Sequence, residues 1–522
     1  MAVAPASASS PALPVEARTA RRLLLFATLV CAICGFAYEL VIVALGTVLF
    51  GSSVEQTALV LGTFVAAMGL GAWVGGRVPE RRVVESFVAL EAAIALLGGL
   101  SALALFAAYA WLDLYAPAVR VLSVVLGAMV GAELPLLAAI LQRLRAERTG
   151  RTVGTLLAAD YVGAFAVGLA FPLLIMPTLG QTQAALAFGA LNAAGGALML
   201  WLLRGALAAR TAGFMALLLA GVFGALGIAA WRAGDVQASA RQALYDDPIS
   251  RHERSAIQDI VLTRSIDGRD TRLFLNGDLQ FSSVDEHRYH EALVHPAMVA
   301  RHERVLILGG GDGLALREVR RYRGVRSATL VELDPAVVHL ARHDGRLREL
   351  NAGALDDPRA EVVTADAFSW LRHQRERFDV VIVDLPDPDS ADLAKLYSTE
   401  MYGLVRERAL APGGRLVVQA GSPYFAPEAF WCIERTVAAA GMDTRTYHVD
   451  VPSFGDWGFV LAAAEGAPPL GLRPPGPTRF LDERVLASAA VFPRDRRRVP
   501  VEASTLDRPT ILTYARRGWR GT

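Results

Sequence analysis

Hydrophobic positions divide the chain near residue 235. Before it, apolar residues run in blocks of about 20 or more, the length at which a helix crosses a bilayer, separated by short arginine-bearing segments. After it, the blocks give way to alternation with the strand and helix periods. The first pattern predicts a multi-pass helical membrane domain over 21–235. Its seven spans fall at roughly 23–47, 57–77, 86–110, 118–141, 153–177, 183–203 and 211–231. Residues 1–20, rich in Ala, Pro and Ser, predict a disordered N-terminus. The second pattern opens with a small antiparallel sheet over 250–283, where Asp267-Gly268 and Asn276-Gly277 are hairpin signals. A helix follows over 284–300. Strands at 304–313, 327–334, 360–367, 378–384 and 414–420 then alternate with helical stretches, which predicts a Rossmann-like α/β domain with a parallel sheet over 284–465. Residues 466–522 read as a Pro-rich linker and an Arg-rich appendage, with "PRDRRRVP" a solvated face or a lipid contact.

Composition sharpens the division. Mean hydropathy is +0.36 with 53% hydrophobic residues, an excess confined to the first half. A net charge of +1 supplies no field for nucleic acid, so the bilayer and small molecules are the expected partners. Cys31 and Cys34 lie in an apolar run and Cys432 stands alone, which gives neither a disulfide framework nor a zinc spacing, and no metal is expected. Arg18, Arg21, Arg22, Arg77, Arg81, Arg82, Arg143, Arg145, Arg148, Arg151, Arg204 and Arg210 all fall on one side of the spans and predict a cytoplasmic N-terminus in the cell membrane. Seven crossings would then put the second half outside, one re-entrant span would keep it inside, and its side stays open. Glu39, Glu91, Glu133 and Asp160 sit within the spans, where acids line a cavity or cation path or else serve as protonated packing residues. The glycines of "GLGAWVGG" (69–76) fit close helix packing.

Candidate chemistry gathers at strand ends, where ligands bind in such sheets. The first strand ends in Gly309-Gly310-Gly311-Asp312-Gly313, the second in Glu332, the third in Asp366 and the fourth in Asp384. Each acid alone could be a helix cap or a loop acid. Four at four consecutive strand ends point to a site. No Lys follows the glycines, so this is not a P-loop, and the spacing departs from the dinucleotide fingerprint. A cationic, phosphate-free nucleoside such as S-adenosylmethionine or its decarboxylated form suits the acids. Asp312, placed near the ligand's amino-acid tail, favours the form that lacks a carboxylate.

The stretches "IQDI" (257–260), "LNGDLQ" (275–280), "DEHRYHE" (285–291), "LILGGGDG" (306–313), "VELD" (331–334), "DDPRAEVVTADA" (356–367), "VDLPDP" (383–388) and "VPSFGDWGF" (451–459) together resemble the polyamine aminopropyltransferases, the spermidine synthase family. The first half, with "YELVIVALGTVLFGSS" (38–53) and "GAELPLL" (131–137), is similar to the multi-pass region fused to such domains in bacteria. The resemblance implies aminopropyl transfer from decarboxylated S-adenosylmethionine, a co-substrate and not a cofactor, to a diamine such as putrescine, with release of methylthioadenosine. It implies that Gln258, Glu332, Asp366 and Ala367 bind the nucleoside and that His290, Asp312, Asp387, Gln280 and Tyr289 bind the amine, with Asp384 as proton acceptor. Soluble relatives assemble as dimers or tetramers, so a homo-oligomer is compatible with the resemblance unless the membrane anchor replaces it. Four positions depart from the family pattern: Leu385-Pro386 replaces two small hydroxyl residues, Ser390-Ala391 a Gly-Pro, Phe454 a tyrosine and Leu314 a second glycine. Asp389 has no counterpart role and reads as a loop acid. A methyltransferase on the same sheet, or a transporter or sensor with a non-catalytic domain, are the alternatives.

Overall fold

A computed structural model describes residues 14–50, 54–112, 114–144 and 149–519, and divides the chain into two compact units, 1–246 and 247–522. The first is a bundle of α1 (Ala17–Phe50), α2 (Val54–Gly75), α3 (Val83–Leu112), α4 (Tyr115–Leu144), α5 (Thr149–Ala170), α6 (Met176–Leu203) and α7 (Ala209–Gln242). Residues 1–13, most of the segment expected to be disordered, and Arg145 and Arg148 lie outside the described residues. The remainder of that segment is not disordered throughout, since α1 begins at Ala17.

Among the described residues, six continuous helical runs are long and apolar enough to cross a membrane. The fifth, Gly154–Ala206, has 53 residues, about 80 Å at 1.5 Å per residue, more than twice a bilayer core of about 30 Å. It is two passes. Gly180, at φ 69° and ψ 179°, breaks the helix, and the chain reverses there. On one side of the break, Gly163 packs on Leu29 and Ala32 and Gly168 on Phe36, so α5 runs with α1. On the other, Gln181 Nε2 donates to the Ala44 carbonyl at 3.2 Å, Cys34 Sγ donates to the Phe188 carbonyl at 3.5 Å, and Gly195 faces Val30, so α6 runs against α1. The same register reading sets α4 against α1, with Gly35 on Val130 and Gly46 on Tyr115, and α7 against α6, with Gly196 on Leu219 and Gly189 on Leu226. The seven expected segments therefore alternate in direction. Arg77, Arg81, Arg82, Arg204 and Arg210 lie at the end where α1 starts, and the chain leaves α7 at the opposite end. Gly71 and Gly75 press on the backbone of Ala128 and Ala132, which bears out a packing role for "GLGAWVGG".

The second unit begins with an antiparallel sheet of β1 (Ile249–Arg254), β2 (Asp259–Arg264), β3 (Thr271–Leu275) and β4 (Asp278–Ser282) in sequential order. Asn276 and Gly277 turn with φ of 54° and 96°, the left-handed pair that a two-residue hairpin needs. After α8 (Glu286–Val294) comes a seven-stranded sheet of β5 (Arg304–Gly309), β6 (Ser327–Glu332), β7 (Ala360–Thr364), β8 (Phe378–Asp384), β9 (Leu410–Gln419), β10 (Asp443–Val451) and β11 (Gly455–Ala463), in the order β10-β11-β9-β8-β5-β6-β7. β5 to β9 are parallel and β10 and β11 antiparallel. Successive residues of β5 serve two cores, Val305 and Ile307 one and Leu306 and Leu308 the other, so both faces are covered. The chain runs from β5 outward to β7 and then returns to β8 on β5's other side. That reversal opens a crevice at the carboxyl ends of β5 and β8.

The C-terminal appendage is not a loose tail. Glu291, buried on α8, accepts the backbone N–H groups of Arg479, Phe480 and Leu481 at 2.7–2.9 Å. Leu472, Leu481 and Leu486 join one core, Ile511 and Ala515 the other. Two arginines of "PRDRRRVP" are tied to the domain, Arg496 to Asp456 at 2.7 Å and Arg498 to Glu434 at 2.5 Å, so the run is neither wholly solvated nor free for lipid. Replacing Glu291 by Ala leaves the buried Leu481 N–H unpaired, at a cost of about 1–3 kcal/mol, and frees the part-buried N–H groups of Arg479 and Phe480. Limited proteolysis of Glu291→Ala is expected to release the segment after residue 466 faster than in the unaltered protein; equal rates would show that the clamp contributes nothing.

Candidate active site

The crevice widens into a cavity of about 540 Å³. Its floor is the glycine turn. Gly309 has φ 84°, and a Cβ there would lie 2.0 Å from the Asp384 carbonyl oxygen, while one on Gly311 would meet the Glu332 carboxylate at 2.7–2.9 Å. Only glycine lets β5, β6 and β8 bring their terminal acids around one space.

All ten residues expected at the site line this cavity: Gln258, Gln280, Tyr289, His290, Asp312, Glu332, Asp366, Ala367, Asp384 and Asp387. Glu332 accepts N–H groups from Gly311 at 3.1 Å and Asp334 at 3.0 Å; burial nevertheless pushes its carboxyl up to about 7. Asp366 is both a candidate and a cap. One oxygen accepts the Ser369 N–H at 2.8 Å at the start of the helix Ala367–His373, and the other meets Lys395 Nζ at 2.8 Å. Gln280 Nε2 donates to the Asp278 carbonyl at 3.0 Å.

At the other end, Tyr289 Oη donates to Asp384 Oδ1 at 2.6 Å. Burial raises Asp384 above the ordinary aspartate range, against the pull of His290 and Tyr289. Burial likewise pushes Asp312 up to about 6, with His290 opposing and Asp384 adding to the rise. Asp387 stands at about 6 through burial, eased by Gln419. For His290 burial works against the imidazolium, but Glu286, Asp312 and Asp384 outweigh it and raise the ring. These are acids kept close together in a dry cleft, the arrangement by which proteins tune proton-accepting groups.

Sequence reasoning missed several contributors. Glu286 accepts the His290 ring N–H and both terminal nitrogens of Arg317 at 2.9–3.0 Å, and so fixes the imidazole facing the acids. Gln419, at the end of β9, donates to the Leu385 carbonyl at 2.6 Å, to Tyr397 Oη at 2.7 Å and to Asp387 at 3.3 Å. Tyr397 Oη also reaches the Leu385 and Pro386 carbonyls at 3.1 and 2.9 Å. The unusual Leu385-Pro386 is therefore held by its backbone, and its side chains line the cavity. A polar residue closing a strand was the available signal for Gln419. Phe454 packs edge-on to Tyr289 at 5.9 Å and lines the same wall.

Asp389 is not merely a loop acid. It lines the cavity mouth with Asp278. Asp278 is exposed at the rim, and the neighbouring walls with the charges of Asp389 and Asp387 raise its carboxyl above the ordinary aspartate range. The mouth thus carries an outer pair of acids beyond Asp384 and Asp387.

Residues 286–471 match the model of the spermine/spermidine synthase domain. The chain is 52% identical to polyamine aminopropyltransferase 1 of Streptomyces coelicolor, over 99% of this chain and 98% of that one. It is 46% identical to polyamine aminopropyltransferase of Mycobacterium tuberculosis strain H37Rv, over 96% and 97%. Crystalline spermidine synthase from Thermotoga maritima superposes with a TM-score of 0.42 at 27% identity, covering 47% of this chain and 85% of that one.

A carboxyl raised in the fold contributes stability below its unfolded value of about 3.9 that is lost as pH climbs through the folded value, here about 6 for Asp387. Asp387→Asn removes this cost. The ligand-free variant is expected to melt above the unaltered protein at pH 8 and to show a smaller difference at pH 4.5, as followed by tryptophan fluorescence; a melting point lowered at pH 8 would refute the assignment of strain.

Proposed function

The chain belongs to the polyamine aminopropyltransferase family, and from that premise we propose that it transfers the aminopropyl group of decarboxylated S-adenosylmethionine to a diamine of the putrescine type or a longer amine. The observation that carries this reading is the ring of desolvated carboxylates from Asp312, Asp384 and Asp387 around one end of a nucleoside-sized cavity. A protonated amine, with an ordinary pKa near ~10, is drawn in as a cation and must lose a proton before it can attack. Asp384 is the acceptor for that proton, held by Tyr289. The freed nitrogen attacks the aminopropyl carbon beside the sulfonium; the new N–C bond forms as the C–S bond breaks, and the electron pair goes to sulfur. The products are the lengthened amine and neutral methylthioadenosine, and no cofactor is required. Glu332 is placed to take the ribose hydroxyls, with Gln258, Asp366 and Ala367 completing the nucleoside end and His290, Gln280 and Tyr289 the amine end. Asp278 and Asp389 at the mouth suit the far ammonium of an extended acceptor.

We further propose that the helical unit is a seven-pass membrane domain whose arginine-bearing end is cytoplasmic. Because the passes alternate, the chain then leaves α7 on the outer face and carries the second unit there.

With the full chain in detergent, methylthioadenosine release is expected from decarboxylated S-adenosylmethionine plus an amine, and no release with any amine would sink the enzyme reading. Asp384→Asn should lower turnover by about 10²–10⁴-fold with nucleoside binding kept; normal turnover would remove Asp384 as proton acceptor. Asp278→Asn/Asp389→Asn should raise KM about fivefold, a loss of about 1 kcal/mol, for a triamine and less for a monoamine, whereas equal effects on both amines would refute the outer pair as an ammonium site. A phosphatase fused after residue 245 should be active and a fluorescent protein there dark; the reverse pattern would overturn the orientation.

A further inference from the structure

The helical unit contains a second cluster of chemistry-bearing groups that the transfer reaction does not use. Cys31 on α1, Glu91 on α3 and Glu133 on α4 each present one donor atom, and the three atoms lie within 4.8 Å of one another. Cys31 Sγ is 3.4 Å from Glu91 Oε1. Asn192 on α6 closes the fourth side, its Nδ2 donating to the Glu91 carbonyl at 3.1 Å. The four residues are 2%, 0%, 5% and 0% exposed. Gly196 on α6 makes room for the glutamate, since a Cβ there would lie 3.0 Å from Glu91 Cβ.

What sets this group apart from ordinary helix packing is its unspent acceptors. Glu91 Oε2, Glu133 Oε1 and Asn192 Oδ1 are all buried and have no hydrogen-bond partner. A buried carboxylate oxygen or amide oxygen left unpaired is costly, and those of Glu91 and Glu133, from two helices and beside the Cys31 thiol, suit a cation. With no Lys or Arg paired to either glutamate among the described ion pairs, protons or a cationic ligand neutralise them.

The donor set selects among cations. Around a tetrahedral zinc-like ion, with bonds of about 2.3 Å to sulfur and about 2.0 Å to oxygen, a sulfur and an oxygen ligand sit about 3.5 Å apart. The Cys31 thiol, which donates a hydrogen bond to Glu91, already stands at 3.4 Å from it, so a metal would replace the thiol proton with little movement of the pair. A thiol among the donors does not suit an alkylammonium, which takes oxygen acceptors. We propose that Cys31, Glu91, Glu133 and Asn192 form a binding site for a divalent transition-metal ion of the zinc class within the helical unit. The two carboxylates balance the ion's charge, and Cys31 supplies the soft ligand that distinguishes such an ion from magnesium or calcium. Because the ligands bind as thiolate and carboxylates, binding displaces any protons they carry.

The test uses the full chain in detergent, stripped with chelator, loaded with Zn²⁺ or Co²⁺ and passed through gel filtration before its metal content is measured. About one equivalent should remain bound, and the cobalt form should show a thiolate-to-metal charge-transfer band in the near ultraviolet. Glu91→Gln and Glu133→Gln should each weaken binding by about tenfold or more, while Cys31→Ser should abolish the band and keep the same elution volume. Metal retained equally by Glu91→Gln/Glu133→Gln and the unaltered protein would overturn the site. So would an unaltered protein that retains no metal or shows no thiolate band, a result that does not depend on whether any variant folds; the cluster would then be a proton-sharing acid pair.

Discussion

The second unit depends on one close approach, that of the Gly309 turn to the end of β8. A side chain at Gly309 would collide with the Asp384 carbonyl, so the absence of one lets two neighbouring parallel strands finish side by side with their acids converging. Convergence of like charges in a dry crevice is unfavourable for the empty protein. Protonation relieves it, and a bound cation would do the same at neutral pH. The raised carboxyls of Glu332, Asp312, Asp384 and Asp387 are the thermodynamic trace of that convergence.

Support for the crevice comes from groups that do not face it directly. Arg317 holds Glu286, Glu286 holds His290, and His290 faces Asp312 and Asp384. On the opposite wall Gln419 and Tyr397 grip the carbonyls of Leu385 and Pro386, which explains how the loop tolerates a residue pair unlike the family's usual one. Backbone contacts hold this turn. Further out, the tail docks on α8 through Glu291, so the helix that bears Tyr289 and His290 is packed from the tail side as well as from the sheet.

Much of this could be read along the chain. Strand and helix periods, the Asn276-Gly277 turn and the acids closing β6 and β8 are local features, and local features survive in a linear text. All ten site residues expected from motifs line one cavity for that reason. Asp389 is an exposed loop acid that also lines the cavity, which a proline-flanked acid gives no local sign of, and Asp278 was not singled out because the acids near it lie on another element. The arginine run near residue 496 was misread because its carboxylate partners, Asp456 and Glu434, lie 40 and 64 positions away.

By itself the sequence determined the two-part plan, the order of elements, the acids at strand ends and the family, because periodicity, turn residues and spaced motifs act over short stretches. Tertiary structure alone decided that the helix reverses at Gly180, that the tail is clamped by Glu291 across 188 positions, that Asp278 and Asp389 line the same cavity as Asp384 and Asp387, and that Cys31, Glu91 and Glu133 meet at one point with Asn192 bonded to the Glu91 backbone. Each of these rests on contacts between segments far apart in the chain, and such contacts exist only once packing has chosen which faces meet.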